Sequence, residues 1–176
     1  MGLFQNLLET YEKCSTAVGF VQKDARNALI PVFHTVFESA ICVVIDNEGT
    51  YISAHKDKKH IIIPCTDESL GRTSKSYAPH ALCEQYSYLN GENTQKKENY
   101  LAQLFEWKGE DSVLNAVYTY IAQGTIVDDL KDLSPNDKDI IRFIVYTNGD
   151  YAECWKSVEL WNLWKDHELN KTNNQS

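Results

Sequence analysis

Leu3, Leu7, Tyr11, Cys14 and Val18 recur at helical spacing and Gly19 follows, so the chain is expected to open with an amphipathic helix. Gln22–Leu29 reads as a polar loop, and Pro31 as the start of an extended stretch through His34. Ala40–Asp46 is a β-branched run, Asn47-Glu48-Gly49 has turn chemistry, and Thr50–Lys56 alternates like a returning strand. His60–Pro64 is a further apolar run that predicts a strand ended by Pro64. Cys65–Pro79 has no period, many hydroxyls and a central glycine, which predicts a functional loop; residues 90–98 predict a second, polar loop. Glu98–Trp107 and Ser112–Gln123 have helical spacing, the latter with Val113, Ala116, Val117, Tyr120 and Ile121 on one face. Ser134-Pro135 suits either a helix cap or a turn. Ile140–Thr147 predicts a strand, Asn148-Gly149-Asp150 a turn, and Ser157–Glu168 a helix capped by Ser157, with Leu160, Trp161 and Trp164 as its buried stripe. Residues 170–176 read as a frayed polar tail. Strands and helices do not alternate strictly, so the expected fold is a single α+β domain, an antiparallel hairpin-based sheet with packed helices.

Composition narrows the class. The 176 residues suffice for one core, and 43% hydrophobic with 24% charged residues is ordinary for a globular protein. Five cysteines without framework spacing, and no leader-like start, read as reduced thiols in a cytoplasmic protein. No apolar run approaches the roughly 20 residues that span a bilayer, so no membrane partner is expected.

Charge at first argues against a polyanion partner, since the net value is −8. Its distribution changes that. Residues 51–80 carry five basic groups (Lys56, Lys58, Lys59, Arg72, Lys75) against three acidic ones, whereas residues 100–176 carry seven against 13. Salt screens beyond about 10 Å, so a local positive site on an acidic body can still steer DNA. Lys56–Lys59 is also readable as a solvated hairpin tip.

Among chemical constellations, His60 with Cys65 and His80 with Cys83 offer imidazole and thiolate in the number a zinc site takes, at only loosely finger-like spacing. Free cysteine is equally at home as a small buried hydrophobe. There is no nucleophile elbow, phosphate loop or dinucleotide-binding glycine run, so a non-catalytic protein without cofactor is expected. The loop Gly71-Arg72-Thr73-Ser74-Lys75-Ser76-Tyr77 is the better candidate. Glycine permits close backbone approach, the hydroxyls and amides suit phosphate or base edges, Arg72 can grip guanine or phosphate with two donors, Lys75 adds a point charge and Tyr77 a stacking face.

Ile61–Ser74, followed by Ala78-Pro79-His80-Ala81-Leu82-Cys83, resembles the signature of the large subunit of type I-C CRISPR surveillance complexes, the Cascade large subunit. Gly2–Tyr11 looks like that family's opening helix, Pro31–Thr35 like its next short motif, and Phe143–Trp164 like its strand–helix passage. Family members are much longer, so the resemblance implies that residues 1–176 are the amino-terminal domain of a longer protein. It implies recognition of the protospacer-adjacent motif in target double-stranded DNA and help in opening the duplex, while base pairing with a guide reads the target, a division of labour known from a different effector. It also implies a crRNA, other Cascade subunits and a recruited helicase-nuclease as partners, with cleavage left to the last. The resemblance places Gly71, Arg72, Thr73 and Ser74 at the DNA; Lys75, Ser76 and Tyr77 are added from their chemistry, and Lys56, Lys58 and Lys59 as possible further contacts. Lys75-Ser76-Tyr77 departs from the family pattern. Pro64, Cys65, Pro79, His80 and Cys83 read as structural anchors of the loop. Two other readings stand beside this one: a zinc-stabilised protein, and an assembly domain whose acidic second half and tryptophans in 154–164 face a partner subunit.

Overall fold

A computed structural model describes residues 29–174 of the chain. The expected opening helix, and the loop 22–29 apart from its last residue, lie outside them. Val32 and Phe33 form a turn, Phe33 with φ of 64°, so the extended stretch expected from Pro31 begins only at His34. Strand β1 then runs His34–Asp46 and contains the β-branched run as its second half. Asp46 builds the turn that follows. Its Oδ1 accepts the N–H groups of Glu48 and Thr50, each at 2.9 Å, and its carbonyl accepts that of Gly49. Gly49 is required there: its φ is +83°, and a Cβ would lie 2.9 Å from the Ala116 carbonyl oxygen.

Strand β2 runs Tyr51–Pro64 without a break, joining the alternating segment Thr50–Lys56 and the apolar run His60–Pro64, which the sequence pattern separates. Lys56–Lys59 is therefore the middle of a strand, not a hairpin tip. No glycine or proline interrupts it, and a β-bulge absorbs the irregularity: Ser39 faces Lys59 and Ile41 faces Lys56, so Asp57 and Lys58 together oppose Ala40. The sheet order is β2-β1-β4-β3, with β3 Glu84–Gln85, β4 Ile140–Thr147, and β5 Asp150–Glu153 also pairing with β4. The α+β class holds. The sheet is mixed, because β1 and β4 pair in parallel from Ile41–Ile141 to Asp46–Tyr146, while its other pairs are antiparallel.

Among the described residues, every α-helix but the last lies in the crossover between β2 and β4. Helix α1 is the single turn Asp67–Leu70; α2 is Thr94–Lys108, α3 Ser112–Gln123 and α4 Ile126–Leu130. Asn93 and Asp111 cap α2 and α3 with their side chains, so the second polar loop ends at Asn93 rather than at residue 98. Ser134, with a left-handed φ of 47°, closes a 3-10 turn at Lys131–Leu133, so Ser134-Pro135 ends that turn and does not start a helix. Helix α5, Val158–Asn174, starts where Ser157 Oγ accepts the N–H of Leu160 at 3.2 Å, and it continues through the positions read as the start of a frayed tail.

Ile41, Val43 and Ile45 of β1 and Phe143 and Val145 of β4 are fully buried, packed with Leu104, Val117, Tyr120 and Ile121 from the helices. Trp164 ties α5 to the strand ends: its Nε1 donates to the carbonyls of Phe33 (3.1 Å) and Cys65 (3.2 Å). Trp155, Trp161 and Trp164 are all buried, which overturns the reading of the 154–164 tryptophans as a face for a partner subunit. They are core. Among the described residues no helix is long and apolar enough to cross a membrane.

Candidate nucleic-acid interface

The segment that leaves β2 at Pro64 is closed at its base. Ala81 N–H donates to the Pro64 carbonyl at 2.9 Å, and Cys65 N–H to that of Phe33 at 2.9 Å. Thr66 and Ser69 form a reciprocal capping box: Thr66 Oγ1 accepts the Ser69 N–H at 3.0 Å, and Ser69 Oγ accepts the Thr66 N–H at 2.9 Å. That box is why part of the expected loop is helical turn α1. Ser69 Oγ also lies 2.9 Å from Nδ1 of His80, whose ring is buried against Phe37. Burial, and then the charge of Arg72, lower the His80 pKa to about 3, so the ring is neutral at physiological pH.

Arg72 is the centre of the arrangement. Its Nη1 and Nη2 donate to the two carboxylate oxygens of Glu84, at 2.6 and 2.9 Å, and Nη1 also donates to the Ala78 carbonyl at 3.0 Å. Its guanidinium lies 4.4 Å from the ring centre of Tyr88. Glu84 is completely buried on β3 and accepts two further bonds, from the backbone N–H of His80 and of Gln85, each at 2.6 Å. Burial pushes its carboxyl above the usual range, against the pull of Arg72 and those two N–H groups. The pair is thus a bidentate clasp between a largely buried guanidinium and a fully buried carboxylate, and it ties the loop to the edge of the sheet. Three of the five guanidinium N–H donors of Arg72 are thereby engaged by the protein.

Beyond the clasp the loop turns outward. Ser76 N–H donates to the Thr73 carbonyl at 3.1 Å, and Thr73, Ser74 and Lys75 are exposed on that turn. Helix α2 buttresses the return: Asn99 donates to the Tyr77 carbonyl at 3.0 Å, Gln103 to that of Pro79 at 3.3 Å, and the Tyr100 hydroxyl to that of Leu82. From the same helix Lys96 reaches the loop, its ammonium 5.6 Å from the ring centre of Tyr77 and 5.0 Å from that of Tyr88. Gly71 has an ordinary φ of −96°, and a Cβ there would meet only the Asp67 carbonyl oxygen, at 3.5 Å. The protein itself does not require glycine at this position.

The structure thus gathers Gly71–Tyr77 into one site and leaves Lys56, Lys58 and Lys59 outside it. The three lysines are exposed on β2, an edge strand among the described residues. Lys59 lies five residues from Pro64, about 17 Å along the strand at ~3.4 Å per residue. Its ammonium sits 5.8 Å from the ring centre of Trp155. Beneath the bulge the buried Arg142 donates to the Asp57 carbonyl (2.7 Å), the Asp57 carboxylate (2.8 Å) and Ser39 Oγ (3.1 Å). This holds the bulged backbone group that has lost its ladder partner.

The zinc constellation does not assemble. His60 is exposed on β2, whereas Cys65, His80 and Cys83 are buried, and no group of His, Cys, Asp or Glu among the described residues is placed to hold a metal. Burial raises the Cys65 thiol well above its usual range and Cys83 to about 12, as expected of inert core thiols. Glu84, Tyr88 and Lys96 were not anticipated. The acid directly after the apolar Ala81-Leu82-Cys83 is a signal for Glu84, since a carboxylate in a buried run needs a partner. Nothing local marks Lys96, which comes to the loop only through the packing of α2.

The family model of CRISPR-associated protein (Cas_Csd1) matches residues 7–176 of the chain. Comparison with curated proteins finds no match.

Proposed function

Since the chain belongs to the Cas_Csd1 family of CRISPR-associated proteins, we propose that it is a non-catalytic part of an RNA-guided surveillance complex and that its outward turn meets target DNA beside the protospacer. In this reading Thr73, Ser74, Lys75, Ser76 and Tyr77 read the adjacent motif in the duplex and help to open it. The crRNA, the other subunits and a recruited helicase-nuclease supply pairing, scaffold and cleavage. The observation that carries the proposal is the contrast within one loop. A buried clasp fixes Arg72, and directly after it two hydroxyls and an ammonium stand exposed on a hydrogen-bonded turn. A rigid base under polar, cationic tips is what phosphate and base-edge recognition requires, because little ordering entropy is then lost on binding. Arg72 acts here as a positioning residue rather than as a base reader.

Lys75→Ala in the assembled complex is expected to weaken target-DNA binding by about 1–3 kcal/mol. If Lys75 touches phosphate, the loss is uniform across motif sequences; if it touches a base, the loss is confined to the preferred motif. Binding measured on duplexes with and without that motif, across a salt series, separates the two. Unchanged binding in every condition would remove the loop from the interface.

A further inference from the structure

Lys96 has no carboxylate within ion-pair distance among the described residues, and Lys75 has none either. Arg72, which shares the Tyr88 ring with Lys96, is neutralised by Glu84. Among the described residues the loop therefore presents two cations without an ion-pair partner. Two residues of chain span at most ~7 Å, so Lys75 starts close to Tyr77, over whose ring the Lys96 ammonium is held. Purely structural packing between Tyr77 and Tyr88 does not call for a charge, since an apolar side chain of the same length would fill that space without one. An ammonium placed on two aromatic faces keeps donors for a third partner, and its stem is ordered before that partner arrives.

From this we infer that Lys96 is a second phosphate contact of the loop, gripping the nucleic-acid backbone together with Lys75 while Tyr77 and Tyr88 hold its side chain in place. The inference rests on the proposed DNA role of the loop and adds to it a residue from another element. The ligand is the phosphodiester of a nucleic acid, and target DNA is the source favoured by the exposed turn beside it. Because the contact is to phosphate, it contributes affinity and salt dependence without sequence preference.

The test uses the assembled complex with Lys96→Gln, Lys96→Met, Lys96→Arg and Lys75→Gln. For each, target-duplex affinity is measured from low to moderate salt, and the crRNA content of the complex is quantified. Loss of one phosphate contact lowers the slope of log affinity against log salt by about 0.9. Lys96→Gln and Lys96→Met should each show that loss, equally on duplexes with good and poor motifs, while Lys96→Arg retains the slope and crRNA content stays constant. If Lys75→Gln lowers the slope and both neutral Lys96 variants keep it, Lys96 is only a packing residue and the inference fails while the loop reading stands. If none of the variants changes the slope, both fail. A fall in crRNA content with the Lys96 variants would assign the contact to the guide and overturn the assignment to target DNA.

Discussion

The chain has two cationic regions that look alike in sequence and differ in how they are built. Gly71–Tyr77 is anchored from beneath by a buried clasp, with Glu84 accepting from Arg72, His80 and Gln85. Lys56–Lys59 rides on a bulged strand, at an edge of the sheet among the described residues, with its three lysines exposed. The first arrangement holds a few polar groups in one geometry, as recognition needs. The second is how proteins keep an unpaired strand edge from recruiting another strand: lysines, and a bulge that interrupts the template. A cluster of positive charge therefore says little until it is known what lies under it.

The sharpest way to break this comparison is to remove the clasp. Arg72→Ala leaves Glu84 buried with only two backbone donors, and unpairing a buried charge costs about 3–5 kcal/mol. Chemical unfolding of the purified chain should show a loss of that order. Replacing both partners with apolar groups, Arg72→Met with Glu84→Leu, should recover most of it, because no buried charge is then left unpaired. A loss below ~1 kcal/mol for the single change would place Arg72 with the surface lysines and return it to the list of DNA readers.

The helices and strands were legible wherever one periodicity ran clean: Ser112–Gln123 and Ile140–Thr147 have the bounds that spacing gives. The single strand Tyr51–Pro64 was not, because its middle carries charge on successive residues and period-2 reading sees a break where the backbone simply continues. The parallel β1–β4 pairing could not be read locally either, since it joins residues about a hundred positions apart. At the candidate site, the sequence marked which loop is unusual and pointed to Pro64, Cys65, Pro79, His80 and Cys83 as its anchors; the Pro64 carbonyl closes the loop base, and Cys65, His80 and Cys83 are buried. The sequence did not show the partner that Arg72 takes in the structure, for a physical reason. An arginine suits a carboxylate as well as a phosphate, and the carboxylate that takes it lies on β3, twelve residues on.

A smaller effect distinguishes the regions by pH. His80 under the loop is held neutral with its pKa lowered to about 3, and His34 at the strand base is lowered to about 4, in both cases chiefly by burial. His55 and His60 on the edge strand are exposed. In the unfolded chain both buried rings titrate near 6.5. The unfolded state therefore binds more protons below that pH, and stability present above pH 6.5 is lost as pH falls toward 3 to 4. Each pH unit in that window costs at most about 1.4 kcal/mol per buried ring. His80→Gln should reduce the slope of stability against pH between about 6 and 4.5 relative to the unaltered protein. An unchanged slope would mean that the loop histidine is not held neutral.

The smallest effect is expected from the edge strand itself. Changing Lys56, Lys58 and Lys59 together to alanine removes solvated charges and one contact with Trp155, so stability should move by no more than about 0.5–1 kcal/mol. Target-DNA binding by the assembled complex should keep nearly the salt slope of the unaltered protein, in contrast to Lys75→Gln. The visible consequence should be association: stripped of its lysines, a fourteen-residue edge strand is a better template for pairing, and light scattering of the purified chain should rise with concentration. A fall in the salt slope approaching three phosphate contacts, with no new association, would reverse the assignment. The edge strand would then be the principal DNA track, and the clasped loop a structural element beside it.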